Sequence, residues 1–302
     1  MLNGVEVSAE VRDDESLLEV LRERFGVHSV KDGCAPEGSC GACTVLVDGH
    51  AAVSCAQRAT RVAGKSVVTH DGLPDETRQL WAECFVAAGA SQCGFCSPGI
   101  VLKGESFLAR HTDPSRDEIA HALLGNLCRC TGYTKIVDAF ELVAAARRGT
   151  PPPRPDTSGR VGTRSARYQG EALALGAKAY VADIDIEGLL HGALRLADHP
   201  RARVLAIDTS KAEAHPGVAC VVTAADVPGE RVQGALVKDW RQFVAVGEAT
   251  AYFGDVLAAV AADTRHAARE AAELVEVEYE VLEPVTSPFD EGARLLSRSV
   301  VA

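Results

Sequence analysis

The chain has 302 residues, 47% of them hydrophobic and 24% charged, a globular composition that excludes a disordered, fibrous or collagen-like chain and leaves room for two or three compact domains. A formal net charge of -11 disfavours a nucleic-acid duplex or an anionic membrane as the main partner, because both call for a concentrated positive field. Ten cysteines stand out. The opening MLNGVEVSAEV has neither a basic n-region nor an apolar h-region, and no run of about eighteen apolar residues occurs, so the reading is a cytoplasmic chain with reduced thiols. There, cysteines are buried filler or ligands, and their spacing decides which.

Residues 1–75 read as a small mixed domain. Val5 and Val7 are expected to begin an edge strand, and Leu17, Leu18, Leu21 and Phe25 to form one side of a short helix started at Ser16. A Gly- and Cys-rich loop follows. Thr44–Val47 and Ala51–Val53 then flank Asp48-Gly49, a hairpin signal, and Val67-Val68 supply a last strand. One helix crossing a sheet, with a long Cys-bearing loop between helix and hairpin, is a β-grasp pattern. Over residues 76–148 the period turns helical. Trp81, Cys84, Phe85 and Ala88 form one stripe and Ile136, Phe140 and Val143 another, while two further helices follow Pro98 and Pro114, so the segment predicts a four-helix bundle. Residues 149–165, with Pro151, Pro152, Pro153 and Pro155, predict an extended connector and the domain boundary. In 166–302, short runs at 190–196, 218–222 and 256–262 alternate with a helix over 264–274, and Val275, Val277, Tyr279 and Val281 mark a half-buried strand with an acidic face.

Cys34, Cys40, Cys43 and Cys55 give C-x5-C-x2-C-x11-C in a glycine-rich loop. This is close to the plant-type [2Fe–2S] arrangement, in which one tight loop wraps the cluster and a fourth thiolate reaches in from a neighbouring element. A four-cysteine zinc site usually presents two short knuckles, and this loop has one. Cys93, Cys96, Cys128 and Cys130 give C-x2-C-x31-C-x-C at turns between predicted helices. On spacing alone this second set suits iron–sulfur or zinc, with the C-x-C half favouring iron–sulfur. Cys84 and Cys220 are read as buried small hydrophobes. Gly64-Lys65-Ser66 is an exposed turn, since Ala59 stands where a phosphate loop needs glycine, and His191 and His199 are surface or turn histidines.

The segments KDGCAPEGSCGACTVLVDG, QCGFCSPGI and GNLCRCTGYTKIVDAF together resemble the iron–sulfur part of the xanthine oxidase family of molybdenum hydroxylases. VGTRSARYQGEALALGAKAYVADI, HPRARVLAIDTSKAEAHPGV and VEVEYEVLEPV resemble the α/β hammerhead domain that opens the molybdenum-binding portion of these enzymes. Fusion of the two without a flavin domain between them is most similar to the selenium-dependent xanthine dehydrogenase-like branch.

The resemblance implies an α+β architecture: a β-grasp ferredoxin-like domain, a four-helix [2Fe–2S] domain and, over 166–302, a hammerhead domain. It implies two [2Fe–2S] clusters, one on Cys34, Cys40, Cys43 and Cys55, the other on Cys93, Cys96, Cys128 and Cys130. It also implies that Gln92 and the Cys130 region contact a molybdopterin-type cofactor shared with a missing or partner region, with FAD on a partner subunit. The family's molybdenum-binding loops and catalytic glutamate lie beyond the hammerhead, so on a chain ending at Ala302 no catalytic residue is expected. The function implied is the electron-transfer subunit or N-terminal portion of a hydroxylase acting on a purine-like N-heterocycle or an aldehyde. The competing readings are a stand-alone two-cluster carrier, which would not need residues 166–302, and a zinc-stabilised interaction module.

Overall fold

Ser16 starts the first helix as expected: its hydroxyl accepts from the Glu19 N–H, and the Glu19 carboxylate accepts from the Ser16 N–H, a reciprocal cap. The helix (α1, Leu17–Glu19) runs directly into a π-helical turn, Val20–Arg24, and buries Leu17, Leu18 and Leu21. A computed structural model describes residues 1–34, 36–163, 165–184, 186–289, 291 and 293, so the reading of Ala302 as an end point lies outside the described residues. Strands β1 (Thr44–Val47) and β2 (His50–Val53) form the predicted hairpin, with Thr44 opposite Val53, and β3 (Val67–Val68) pairs antiparallel on the other edge of β1. The expected strand at Val5 and Val7 does not form. Asn3 and Gly4 both have positive φ (51° and 83°), which turns the chain back on itself and leaves bridges from Leu2 to Val5 and Val67 instead.

The bundle has the four predicted helices: α2 (Asp75–Ala88), α3 (Ser97–Leu108), α4 (Arg116–Ala122) and α5 (Thr134–Arg147). Its centre is Trp81, which meets Phe140 edge-on at 4.9 Å and Phe85 at 5.9 Å. Gly104 lets α3 approach this cluster, since a Cβ there would lie 2.4 Å from the Trp81 ring. Leu46 of β1 belongs to the same core, so hairpin and bundle share their apolar packing.

Two compact units are present, Met1–Ile184 and Asp185–Ala302. The first therefore extends past the Pro-rich connector predicted as the boundary. Residues 149–163 hold no helix or strand, and the segment 166–184, assigned from sequence to the last domain, packs in the first unit through α6 (Gly170–Ala174) against α2 and α3. In the second unit, β4 (His191–Leu196), β6 (Val218–Thr223) and β9 (Val256–Ala262) form an antiparallel sheet in the order β4-β9-β6, and β5 (Ala202–Asp208) pairs with β10 (Glu276–Val281). Short α7 (Ser210–Glu213), the two-residue strands β7 (Val232–Gln233) and β8 (Trp240–Arg241), and α8 (Arg265–Glu273) complete it. The alanine stripe Ala267, Ala268, Ala271 and Ala272 lets α8 lie close on β4 and β9. Cys220 is exposed, against expectation: β6 is an edge strand whose register shifts between Val218 and Cys220, and its thiol is left on the solvent side. Cys84 is fully buried on α2, as expected.

Candidate metal centres

The first cysteine set is assembled by the hairpin. Cys34, Cys40 and Cys43 lie on the loop before β1, and Cys55 lies on a 3-10 turn, Ser54–Ala56, directly after β2. The register Thr44 opposite Val53 brings that turn beside Cys43, where the Ser54 N–H and hydroxyl both donate to the Cys43 carbonyl at 3.2 and 2.8 Å. Cys40, Cys43 and Cys55 are buried and Cys34 is half-buried. The sulfurs are hydrogen-bonded in pairs, Cys34 with Cys40 and Cys43 with Cys55, and the pairs also act on each other, Cys43 on Cys40 and Cys34 on Cys55. Burial, and then the neighbouring Cys43 thiol, push Cys55 up to about 12. Burial also acts upward on Cys34, but N–H donors of Cys40 and Ser39 outweigh it and bring that thiol down to about 7. Such a set sheds its protons fully only when cations take their place.

The second set is assembled by the bundle. Cys93 and Cys96 lead into the start of α3, and Cys128 and Cys130 lie on the loop between α4 and α5. Here too the sulfurs pair: Cys93 and Cys130 are 3.5 Å apart, and the Cys96 and Cys128 thiols are hydrogen-bonded to each other, all four being free. The bond from Cys96, opposed by burial and aided by Thr131, holds Cys128 down at about 5, while Cys96 is pushed up by the same bond and by burial. Tyr133, with φ of 68°, fixes this loop: its hydroxyl donates to the Asn126 carbonyl at 3.0 Å and accepts from the Cys128 N–H at 2.9 Å. Cys128 is buried, Cys96 half-buried, and Cys93 and Cys130 exposed. Gln92 and Cys130, the two residues expected to face a pterin, are both exposed, the first next to Cys93 in the chain and the second with its sulfur 3.5 Å from that of Cys93.

The two sets are tied together. The Leu127 N–H donates to the Cys40 carbonyl at 2.8 Å, and the buried Asn126 amide donates to the Gly41 carbonyl at 3.1 Å. Gly41 has a φ of 65°, and a Cβ there would stand 2.2 Å from the Gly125 carbonyl oxygen, so only glycine allows this approach. Asn126 and Tyr133 fall inside the motif GNLCRCTGYTK, yet nothing in their spacing marks them as the joint. Lys31, Tyr180 and Asp183, which pack beside these loops, went equally unmarked.

Each iron of a [2Fe–2S] group takes two thiolates besides its bridging sulfides, so two pairs of thiols per centre fit such a group.

Comparison with known proteins agrees with this layout. Residues 1–67 match the model of the 2Fe-2S iron-sulfur cluster binding domain, 69–141 that of the [2Fe-2S] binding domain, and 175–283 that of the aldehyde oxidase and xanthine dehydrogenase a/b hammerhead domain. The aldehyde oxidoreductase of Megalodesulfovibrio gigas is 35% identical over 302 residues, covering 93% of this chain and 33% of that protein. The nicotinate dehydrogenase small FeS subunit of Eubacterium barkeri is 43% identical over 136 residues, 45% of this chain and 86% of that subunit. The solved aldehyde oxidoreductase from Desulfovibrio gigas superimposes with a TM-score of 0.83 at 33% identity, over 97% of this chain and 35% of its own. The chain thus spans about a third of the length of the aldehyde oxidoreductases it matches almost throughout.

Proposed function

We infer the function from one premise: the chain belongs to the xanthine oxidase family of molybdenum hydroxylases, the family of the aldehyde oxidoreductases and xanthine dehydrogenases. Within it, the chain is an iron–sulfur portion joined to hammerhead sequence. Its proposed role is to carry electrons between a molybdenum-pterin centre and flavin or another acceptor, in an enzyme hydroxylating a purine-like N-heterocycle or an aldehyde. The observation that carries this reading is the arrangement of eight cysteines as four sulfur pairs in two sets, tied by the Leu127–Cys40 hydrogen bond.

Cys34, Cys40, Cys43 and Cys55 would hold one [2Fe–2S] cluster, and Cys93, Cys96, Cys128 and Cys130 the other. A bound [2Fe–2S] cluster supplies a one-electron carrier, and hydroxylation by water releases two electrons, so a pair in series suits the chemistry. The protein's own contribution is spacing and environment. Asn126 and Gly41 fix the separation of the two loops, Ser54 and Thr44 hold the first loop's carbonyls, and burial of Cys40, Cys43 and Cys55 keeps water from that set. The exposed pair Cys93 and Cys130, with Gln92, is the side proposed to face the molybdenum-pterin region, and the Cys34–Cys55 side to face the acceptor.

Metal analysis tests the assignment. Anaerobic, iron-replete protein should contain about four irons and four acid-labile sulfides per chain. Stoichiometric zinc without visible absorbance would overturn it.

A further inference from the structure

Lys31 lies just ahead of Cys34, and its N–H donates to the Ala42 carbonyl at 3.4 Å, which anchors its backbone to the loop bearing Cys40 and Cys43. Its side chain is almost wholly buried, at 1% exposure for the residue. The ammonium donates to Asp183 Oδ2 at 2.6 Å, and Arg22 donates to Asp183 Oδ1 at 2.8 Å. The Tyr180 N–H donates to the same carboxylate at 3.1 Å. The Lys31 ammonium also stands 4.9 Å over the Tyr180 ring, whose hydroxyl donates to the Cys93 carbonyl and whose edge meets Phe95 at 5.2 Å. Phe95 in turn abuts Gly33, where a Cβ would lie 3.2 Å from its ring and 3.0 Å from Cys40 Sγ. The turn Tyr180–Asp183 therefore touches both cysteine loops.

Two buried cations share one buried carboxylate, which leaves a net positive charge at the turn that touches both cysteine loops, each proposed to hold an anionic cluster. Buried ion pairs are poor stabilisers compared with apolar packing, so fold stability alone gives little reason to place these charges here. A positive charge in a low-dielectric interior favours the reduced, more negative form of a nearby centre. We propose that Asp183 is a positioning residue of the electron relay: through Lys31 it sets the charge where the two cysteine loops meet, and so the reduction potential of the centres held there. This rests on the cluster reading above.

The test is an EPR-monitored redox titration of the full chain, loaded anaerobically with iron and sulfide, together with Asp183→Asn, Lys31→Met and the double variant. Asp183→Asn leaves both cations uncompensated and should favour reduction of at least one of the two centres on the order of tenfold, about 59 mV for one electron. Lys31→Met should shift the same centre the opposite way by a similar factor, and the double variant, with the original net charge, should return close to wild type. If Asp183→Asn does not retain iron, Lys31→Met and the double variant decide by the same signs. Single variants that stay within about threefold of wild type, or that shift in the same direction, would overturn the proposal. A wild-type chain lacking both signals would overturn the cluster reading itself, and this inference with it.

Discussion

The Cys34–Cys55 centre is built from one short stretch closed by a hairpin, whereas the Cys93–Cys130 centre needs two loops separated in the chain by α3 and α4. In the first, hydrogen bonds between neighbouring elements, Ser54 to Cys43 and Thr44 to Gly41, place the sulfurs, and three of four are buried. In the second, placement depends on the packing of Trp81, Phe85 and Phe140, and half of the sulfurs face outward. One centre is thus locally determined and enclosed, the other globally determined and open on one side. The joint between them is small: Asn126, Leu127 and Gly41 on one flank, Lys31, Tyr180 and Asp183 on the other.

The difference between the two centres should show most visibly when one proposed ligand is removed. Cys128→Ser should reduce iron from about four to about two per chain, abolish the helical-domain EPR signal and leave the β-grasp signal. Loss of both would mean that the two centres form only together. Next in size is the position of a truncation. A chain cut after residue 165 loses α6, with its buried Leu173, and the Lys31–Asp183 pair, so it should be less stable than a chain cut after 184 by about 2–5 kcal/mol, measured by denaturant unfolding. Equal stability of the two would show that 166–184 is not part of the first unit. A smaller effect is expected from Gly41→Ala, which combines positive φ with a clash against Gly125. About 2–3 kcal/mol should be lost, and the β-grasp and helical loops should separate, read as weaker magnetic interaction between the reduced centres.

The smallest expected effect concerns His70, on the turn His70–Gly72 that joins the two cluster domains. Its ring is fully buried, and neither nitrogen has a hydrogen-bond partner among the described residues. Burial, with a lesser contribution from Arg78 against that of Asp71, lowers its pKa to about 4. Between pH 6.5 and pH 4 the unfolded chain takes up a proton that the folded one refuses, so stability falls as the pH drops through this window. From pH 6.5 to 5.0 the loss should be about 1.5 kcal/mol. His70→Leu should remove that slope, and an unchanged slope would place the pH sensitivity elsewhere.

The sequence made legible what depends on neighbours in the chain. Asp48-Gly49 forms the expected hairpin turn, Ser16 and Glu19 cap α1, and the stripe through Trp81 and Phe85 is buried as its period requires. The cysteine spacings carried both sets because each loop is short on its own scale. What stayed hidden depends on partners far along the chain or on backbone detail. Lys31 and Asp183 are 152 residues apart, and neither differs in sequence from a solvated charge. Tyr133 acts through a positive φ that no tyrosine advertises. Val5 and Val7 read as a strand until Asn3 and Gly4 turn the chain, and Cys220 read as core until a register shift on an edge strand turned it outward.

Eight of the ten cysteines are proposed to hold two separate [2Fe–2S] clusters. Low-temperature EPR of the dithionite-reduced chain tests this most directly. Two distinct rhombic signals, each integrating to about one spin per chain, are expected. A single signal of about one spin, or none with zinc in place of iron, would contradict it.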